Sequence, residues 1–147
     1  AYDIMPSLVG SEMCIRDSRI AECCAHDWSD AGLSELAIYE NDHTREVLED
    51  FAAYGCTGYA LHVGGEIAAF CIGEVMGDTL IVHIEKGKRE YKGAFQMINC
   101  LFAKTELERC GIQYINREDD VGDEGLRRAK QSYFPEYMLK KFRLEFE

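Results

Sequence analysis

Proline, tryptophan and long apolar runs are scarce in this chain of 147 residues, which contains two prolines and one tryptophan. No apolar run approaches the ~20 residues that a helix needs to cross a bilayer, so no membrane span is expected. CxxC pairs are missing, and the seven cysteines are an odd number. This pattern favours a reducing compartment, and hence a cytoplasmic location, over a disulfide framework. Cys71 and Cys100, which lie in apolar runs, are expected in the core.

Basic residues are also few, since the chain has 16 basic and 27 acidic residues and a net charge of -11. General nucleic-acid binding is therefore not expected. Ten of the 16 basic residues lie in two short windows, Lys86–Lys92 and Arg127–Arg143. These windows form either a local basic surface or two solvated faces. Spaced His and Cys pairs, a P-loop and a nucleophile elbow are absent, so no metal site is predicted.

The first eighteen residues differ in character from the rest of the chain. The stretch SLVGSEMCIRD (7–17) resembles a translated adapter remnant of the kind found at the ends of metagenomic gene models. Residues 1–18 are therefore predicted to be non-native, the alternative being a natural strand and turn. Residues 19–147 are predicted to form a single domain.

Hydrophobic periodicity predicts the elements that follow. Ser18–Trp28 is interpreted as a short helix or a linker, and Leu33–Tyr39 as a helix end or a strand. Asn41 and Asp42 are interpreted as the cap of the first clear helix. The predicted helices are His43–Tyr54, Gly93–Cys110 and Glu124–Phe134, and the predicted strands are Thr57–Val63, Glu66–Val75, Thr79–Glu85, Ile112–Asn116 and Met138–Phe146.

This order predicts an α/β fold. The first three strands form an antiparallel meander, because Gly64-Gly65 and Gly77-Asp78 are tight-turn signals. The helix over 93–110 then makes a strand–helix–strand crossover, which brings the sheet into parallel pairing. The expected architecture is a mixed sheet flanked by helices.

Six stretches carry a family resemblance, and it covers roughly residues 28–147. The element order from the second strand onward resembles the GNAT acyltransferase fold. The closer resemblance is to the C-terminal domain of the phosphatidylglycerol lysyltransferase-like family. The stretches are GEIAAFCIGE (65–74), HIEKG (83–87), KGAFQMIN (92–99), YINREDD (114–120), GLRRAK (125–130) and SYFPEYMLKKF (132–142).

The resemblance implies an acyl- or aminoacyl-transferase-like domain, with a thioester or aminoacyl-tRNA donor and an amine or hydroxyl acceptor. Members of that family resemble two GNAT-like halves in one chain, so it also implies that residues 19–147 are the C-terminal half of a longer protein. It makes coenzyme A or acyl-CoA a candidate ligand whose phosphate would meet the start of a helix. The loop KREYKGAF departs from the GNAT phosphate pattern at Glu90 and Phe95, which weighs against coenzyme A. The net charge weighs against tRNA. The cations Lys86, Lys88, Arg89 and Lys92, with Gly93, are candidates to bind a phosphate of coenzyme A, tRNA or lipid, or else form a solvated turn.

The candidate catalytic residues are His83, Glu85 and Tyr133. His83 and Glu85 share one strand face by the period of two, so they are expected to act as a base and its orienting partner. Tyr133 follows Ala129 by four residues, and the resemblance implies that such a tyrosine protonates a leaving thiolate. Gly73 is the candidate for splaying the central strand. Structural roles remain the alternative for each.

Polar residues close the fourth predicted strand and continue onto the next helix. They either organise the site or form a structural network; the candidates are Asn116, Arg117, Glu118 and Lys130. A second hypothesis is a non-catalytic binding or dimerisation half of a two-domain protein, and a homodimer is a candidate assembly. A third is a metabolite sensor.

Overall fold

The computed structural model describes residues 3–5, 35–142 and 144–145. The chain divides into two units, residues 1–116 and residues 117–147, which are described in turn. The short helix or linker expected at Ser18–Trp28 lies outside the described residues. Of residues 1–18, which are predicted to be non-native, the structure describes Asp3–Met5. The expectation of one domain over residues 19–147 stays a prediction.

The first unit contains a five-stranded mixed sheet in the order β1-β2-β3-β4-β5. β1 through β4 pair antiparallel with their neighbours, whereas β5 runs parallel to β4. The predicted meander and crossover are therefore confirmed. The strands are β1 Asp3–Met5, β2 Thr57–Val63, β3 Glu66–Met76, β4 Thr79–Gly87 and β5 Tyr114–Asn116.

Helices of this unit pack on two apolar clusters, one on each face of the sheet. Successive residues of β2 and β3 alternate between them, as the strand period of two requires. One cluster joins Tyr59, Leu61 and Cys71 to α3 (Ala94–Cys110) through Ile98 and Phe102. The other joins Ala60, Phe70 and Ile72 to α1 (Glu35–Glu49) and α2 (Phe51–Tyr54) through Leu48 and Phe51.

The first helix starts earlier than the sequence suggests. Asn41 and Asp42, interpreted as its cap, lie inside α1, so that interpretation is wrong. Buried Thr44 donates a hydrogen bond from Oγ1 to the Glu40 carbonyl oxygen at 2.7 Å, which satisfies its hydroxyl inside the helix. Tertiary packing thus outweighs the local cap signal.

Burial confirms one of the two expected core cysteines. Cys71 is fully buried in β3, whereas Cys100 lies exposed on α3. The apolar run around Cys100 spans the whole circumference of a helix, so only its inward residues reach the core.

Two β-bulges interrupt the central ladders. The pairs Leu61↔Ala69 and His62↔Ile67 leave Ala68 as an extra residue of β3. The pairs Ile72↔Ile84 and Gly73↔Val82 leave His83 as an extra residue of β4. Gly73, the expected splaying residue, therefore lies opposite the β4 bulge and does not form it. Its backbone approaches β4 so closely that a Cβ would lie 2.2 Å from the Ile81 carbonyl oxygen.

The second unit is built around α4 (Glu124–Gln131). Asp123 caps this helix, since its Oδ1 accepts a hydrogen bond from the Leu126 N–H at 2.6 Å. The helix ends at Gln131 instead of the predicted Phe134.

The predicted final strand, Met138–Phe146, is wrong for its described residues. Residues 138–142 and 144–145 are irregular. Phe142 is 82% exposed and Leu144 is 78% exposed. Alternating apolar residues favour a strand, but a strand needs a neighbour to complete its ladder, and local pattern does not supply one.

Candidate functional site

The β4 bulge sets the position of the candidate base, His83. The parallel ladder of β4 and β5 ends at Ile81↔Asn116, and the bulge follows directly. An extra residue reverses the side-chain alternation beyond it. His83 therefore faces the side of the sheet where α1 lies, together with its neighbour Ile84.

Glu85 lies on the opposite face of the sheet from His83. Its Oε2 accepts a hydrogen bond from Asn99 Nδ2 of α3 at 3.0 Å. The prediction that His83 and Glu85 share a face and pair is therefore wrong. The alternating pattern of the sequence does not reveal that β4 has an inserted residue at His83. Glu85 positions α3 through Asn99.

Glu74 of β3 is a partner of His83. The His83 Nε2 lies 3.2 Å from Glu74 Oε1, and both side chains are about one-third exposed, at 34% and 36%. An ionised carboxylate only accepts hydrogen bonds, so Nε2–H donates to it and the lone pair of the neutral ring lies on Nδ1. This arrangement orients an imidazole as a base.

Sequence reasoning missed Glu74, although one signal pointed to it. Glu74 ends the apolar run of the central strand, directly after Gly73. A carboxylate at such a position is surrounded by core and needs a polar partner. That His83 is a partner of Glu74 could not be predicted, because their pairing depends on the register between β3 and β4 at the bulge.

A cleft of about 280 Å³ surrounds the pair. Its floor is apolar, and its rim carries the Tyr54 and Cys56 side chains beside the carboxylate and imidazole. Burial raises the pKa of the Cys56 thiol, and the negative charge of Glu74 raises it further. The thiol therefore remains protonated at neutral pH and is not an activated nucleophile. The lining residues are Val47, Tyr54, Cys56, Ile72, Glu74, His83 and Ile84.

The expected phosphate-binding cations lie at the end of β4 and in the loop before α3. Lys86 Nζ is 2.7 Å from Glu40 Oε1, and Lys88 Nζ is 3.8 Å from Glu66 Oε2. Their charges are thus partly neutralised within the chain. Arg89 and Lys92 are exposed in the loop.

Gly93 is the N-cap residue of α3. Its φ of 85° lies in the left-handed region that favours glycine. The exposed cations and the start of α3 are therefore the part of this loop that is most open to an anion.

The remaining candidates divide between the two units. Asn116 is the last residue of β5, in the first unit. In the second unit, Lys130 Nζ donates hydrogen bonds to the carbonyl oxygens of Arg117 and Asp119, both at 2.5 Å. Between these carbonyls Glu118 has a φ of 54°, an uncommon conformation for a residue with a side chain. Lys130 thus holds a tight turn in place.

Burial and the nearby charge of Arg117 lower the pKa of Lys130. The guanidinium of Arg117 itself lies 4.5 Å from the centre of the Tyr133 ring, a cation–π contact. These contacts give Arg117, Lys130 and Tyr133 a structural role in the turn. A role for Tyr133 in protonating a leaving group stays a prediction.

Metal and membrane features were sought within the described ranges 3–5, 35–142 and 144–145. No group of three or more His, Cys, Asp or Glu side chains there is arranged to hold a metal ion. No helix in the same ranges combines the length and the apolar character that a membrane crossing requires.

Comparison with sequence families gives one broad match. The sequence profile of the family described as phosphatidylglycerol lysyltransferase, C-terminal, matches residues 17–145. An uncharacterized protein from Mycoplasmoides gallisepticum is 25% identical over 83 residues, which are 56% of this chain and 26% of that protein.

Solved structures match most or all of this chain. A conserved protein of unknown function from Bacteroides thetaiotaomicron is 36% identical with a TM-score of 0.73, over 93% of this chain and 45% of that chain. A ribosomal-protein-alanine N-acetyltransferase from Brucella melitensis is 14% identical with a TM-score of 0.67, over 100% of both chains. At that identity the likeness shows the fold alone, which is the predicted GNAT fold. This chain spans less than half the length of the Bacteroides and Mycoplasmoides relatives.

Proposed function

Because this chain belongs to the phosphatidylglycerol lysyltransferase C-terminal family, we propose that it transfers an acyl or aminoacyl group to an amine or hydroxyl acceptor. His83 is the general base, and Glu74 orients it. The observation that carries this proposal is the hydrogen bond between His83 Nε2 and Glu74 Oε1, in a cleft at the β4 bulge. The GNAT fold supports acyl transfer in general.

The reaction requires proton transfers that this pair suits. The acceptor nitrogen or oxygen attacks the acyl carbonyl carbon, a new C–N or C–O bond forms, and the donor's C–S or C–O bond breaks. The His83 imidazole takes the proton that the acceptor loses, and the departing thiolate or alkoxide then takes up that proton. The Glu74 carboxylate stabilises the imidazolium that forms. No oxidant or metal is needed for this balance.

The donor is a thioester or an aminoacyl-tRNA, and each has one supporting observation. AAC(6')-Iy, a structural neighbour with a TM-score of 0.60 and 6% identity, was solved with a bisubstrate analogue containing coenzyme A. The family description names a lysyltransferase. On this chain Arg89, Lys92 and the start of α3 would meet a donor phosphate, whereas Glu90 and Phe95 depart from the GNAT phosphate pattern.

Variants of the pair test the proposal. We expect His83→Gln to lower kcat/KM for acyl transfer by roughly 10²-fold or more, since general base catalysis contributes 10²–10⁴-fold. Glu74→Gln should lower it less, because the ring keeps a hydrogen-bond partner. The assay follows acceptor acylation with acetyl-CoA and with lysyl-tRNA as alternative donors.

Glu66→Gln is the matched control for these variants. It removes the same charge from the same strand, but at the far end, beside Lys88 and Tyr91. It should retain full activity, and melting temperatures of all three variants should match the parent chain. Undiminished turnover in His83→Gln would refute the role of the pair.

A non-catalytic half of a longer protein is the second candidate. It is favoured by the departures of Glu90 and Phe95 from the GNAT phosphate pattern. Thermal unfolding separates the two candidates. A donor at a hundred times its Kd adds about 2.7 kcal/mol, which raises the melting temperature by roughly 2–8 °C. Turnover or such a rise supports the transferase; neither, from a cooperatively folded chain, supports the second candidate.

A further inference from the structure

Resting on the proposed function, we infer that Glu85 and Lys86 are positioning residues, which hold β4 in the register that leaves His83 as its inserted residue. The sequence suggested catalysis for Glu85 and phosphate binding for Lys86. In the structure each of them bonds to a helix, and the two helices lie on opposite faces of the sheet. The register of β4 is therefore held from both faces, directly beyond the bulge.

The contact on one face joins β4 to α3. Glu85 Oε2 accepts a hydrogen bond from Asn99 Nδ2 at 3.0 Å, and Asn99 is buried. Two residues further along, Gly87 lies so close to α3 that a Cβ would be 3.0 Å from the Phe95 ring. In a ladder shifted by one residue, Lys86 would take the place of Gly87, and its side chain would meet that ring.

The contact on the other face joins β4 to α1. Lys86 Nζ lies 2.7 Å from Glu40 Oε1, and the Lys86 side chain is 13% exposed. Ile84, two residues earlier on the same face, packs against the apolar cluster to which α1 contributes. An ammonium group so largely buried needs a partner, and in this register Glu40 supplies one.

A ladder without the bulge is the competing arrangement. In it His83 would take a regular place opposite β3, and every later residue of β4 would change face, because the side-chain period is two. Glu85 would then lie opposite the fully buried Phe70, away from α3. Lys86 would turn toward α3, away from its partner on α1. Each charged group would lose its partner and meet apolar side chains instead, which is unfavourable.

The register also decides which side chains line the cleft. In the observed register His83 and Ile84 both line it, and Glu85 lies on the other face of the sheet. In a ladder without the bulge Glu85 would replace Ile84 on the face of His83, which is the arrangement that the alternating sequence pattern predicts. The two contacts therefore arrange the site so that the imidazole meets Glu74 and not Glu85.

Variants in pairs test these contacts in the full chain. Glu85→Leu and Lys86→Met each remove one contact, whereas Glu85→Gln and Lys86→Arg keep a hydrogen-bond acceptor and a cation in place. We expect each removal to shift the balance of the two registers roughly tenfold toward the ladder without the bulge, since hydrogen bonds to charged groups are the stronger ones. The double variant with Leu and Met should populate that ladder measurably, and its kcat/KM for acyl transfer should fall by roughly tenfold or more. The conservative variants should keep the parent values.

NMR of the full chain reports the register without any donor. Contacts between backbone protons place Ile72 opposite Ile84 in the bulged ladder, and would place it opposite His83 in the other. The ring signals of His83 give a second readout, because they change with the side chains around the imidazole. A loss of stability alone would move neither readout in the folded chain.

Further variants serve as a control and as a check from the helices. Arg45→Met breaks an exposed ion pair with Asp42 on α1 and leaves β4 untouched, so it should keep the parent register and activity. Asn99→Leu and Glu40→Gln break the two contacts from the helix side and should reproduce the shift in register. If the double variant does not fold, the single variants decide by the same NMR contacts.

The outcomes separate this inference from the proposed function. Bulged contacts alone in the variants that lose a contact, with parental kcat/KM, would overturn the inference. So would a loss of turnover at unchanged NMR contacts, because Glu85 or Lys86 would then act on the substrate. A second register that appears in a chain without turnover on any donor would leave the register contacts standing and refute the proposed function instead.

Discussion

Gly73 shows how one residue shapes the site at the residue scale. Its Cα lies against the strand that carries the bulge, and a Cβ would lie 2.2 Å from the Ile81 carbonyl oxygen and 3.2 Å from Phe102. Backbone atoms at that distance cannot move aside like the end of a flexible side chain. The close approach therefore fixes β4 beside β3, and with it the reach of His83 to Glu74.

Alanine at this position tests that constraint. Gly73→Ala should destabilise the fold by about 3 kcal/mol or prevent folding, as overpacking of a well-packed interior does. Gly58→Ala is the matched comparison, because its Cβ would lie 3.0 Å from the Cys71 carbonyl oxygen and need only a small shift. It should cost about 1 kcal/mol. Urea unfolding measures both; equal midpoints would contradict the constraint.

At the scale of elements, a buried carboxylate ties α3 to β2. Glu106 is fully buried, and its Oε1 accepts a hydrogen bond from the Tyr59 hydroxyl at 2.7 Å. Arg109 donates to its Oε2 from Nε at 3.0 Å and Nη2 at 2.5 Å. These charge-assisted bonds satisfy the carboxylate, so the helix docks on the sheet in one register.

Because of the hydrogen bond from Tyr59 to Glu106, we expect the free energy of unfolding to fall at alkaline pH. Burial, and then the hydrogen bond to Glu106, raises the pKa of Tyr59 to about 12. The folded-state pKa exceeds the ~10 of an unfolded tyrosine, so the protonated hydroxyl stabilises the fold. That stabilisation is complete below pH ~10 and is lost as the pH rises through 12.

Urea midpoints between pH 8 and pH 12 measure this effect. Tyr59→Phe should lower the stability at pH 8 by roughly 1–2 kcal/mol, the value of a lost hydrogen bond, and should show a smaller alkaline decline. Tyr39→Phe, at an exposed position of α1, should keep the full decline. An unchanged decline in Tyr59→Phe would show that another group causes it.

At the scale of the whole molecule, the end of the second unit presents apolar side chains to solvent. Phe134 is 90% exposed, Leu139 is 81% exposed and Phe142 is 82% exposed. Large apolar side chains exposed in this way are found at interaction surfaces and at aggregation-prone ones. The homodimer expected from the sequence stays a prediction, and these side chains are candidates for its interface.

Self-association is therefore the prediction at this scale. Size-exclusion chromatography with light scattering should show a concentration-dependent dimer, and Phe142→Glu should shift it toward monomer. Leu107→Glu, at an exposed position of α3 in the first unit, is the control and should leave the dimer intact. A monomer at every concentration would contradict the prediction.

Local sequence determined most of the elements around the site. The predicted bounds of β2, β3, β4 and α3 agree with the structure to within two residues. Their signals are local: alternation along each strand, a helical period over 93–110, and glycines at the turns. The parallel pairing of β5 with β4 was also predictable, because the order of elements along the chain places a helix between the two strands. Strands joined through a helix in this way run parallel in the sheet.

Tertiary structure alone decided the pairing of His83. The period of two assigned His83 and Glu85 to one face, but the register with β3 leaves His83 as an inserted residue and brings Glu74 to it. A bulge depends on the register between two strands, and the residue pattern of one strand does not reveal that register. The same reason explains why the described residues of the predicted last strand, 138–142 and 144–145, are irregular. The sequence therefore determined which segments form strands and helices, and the contacts between strands decided which side chains meet.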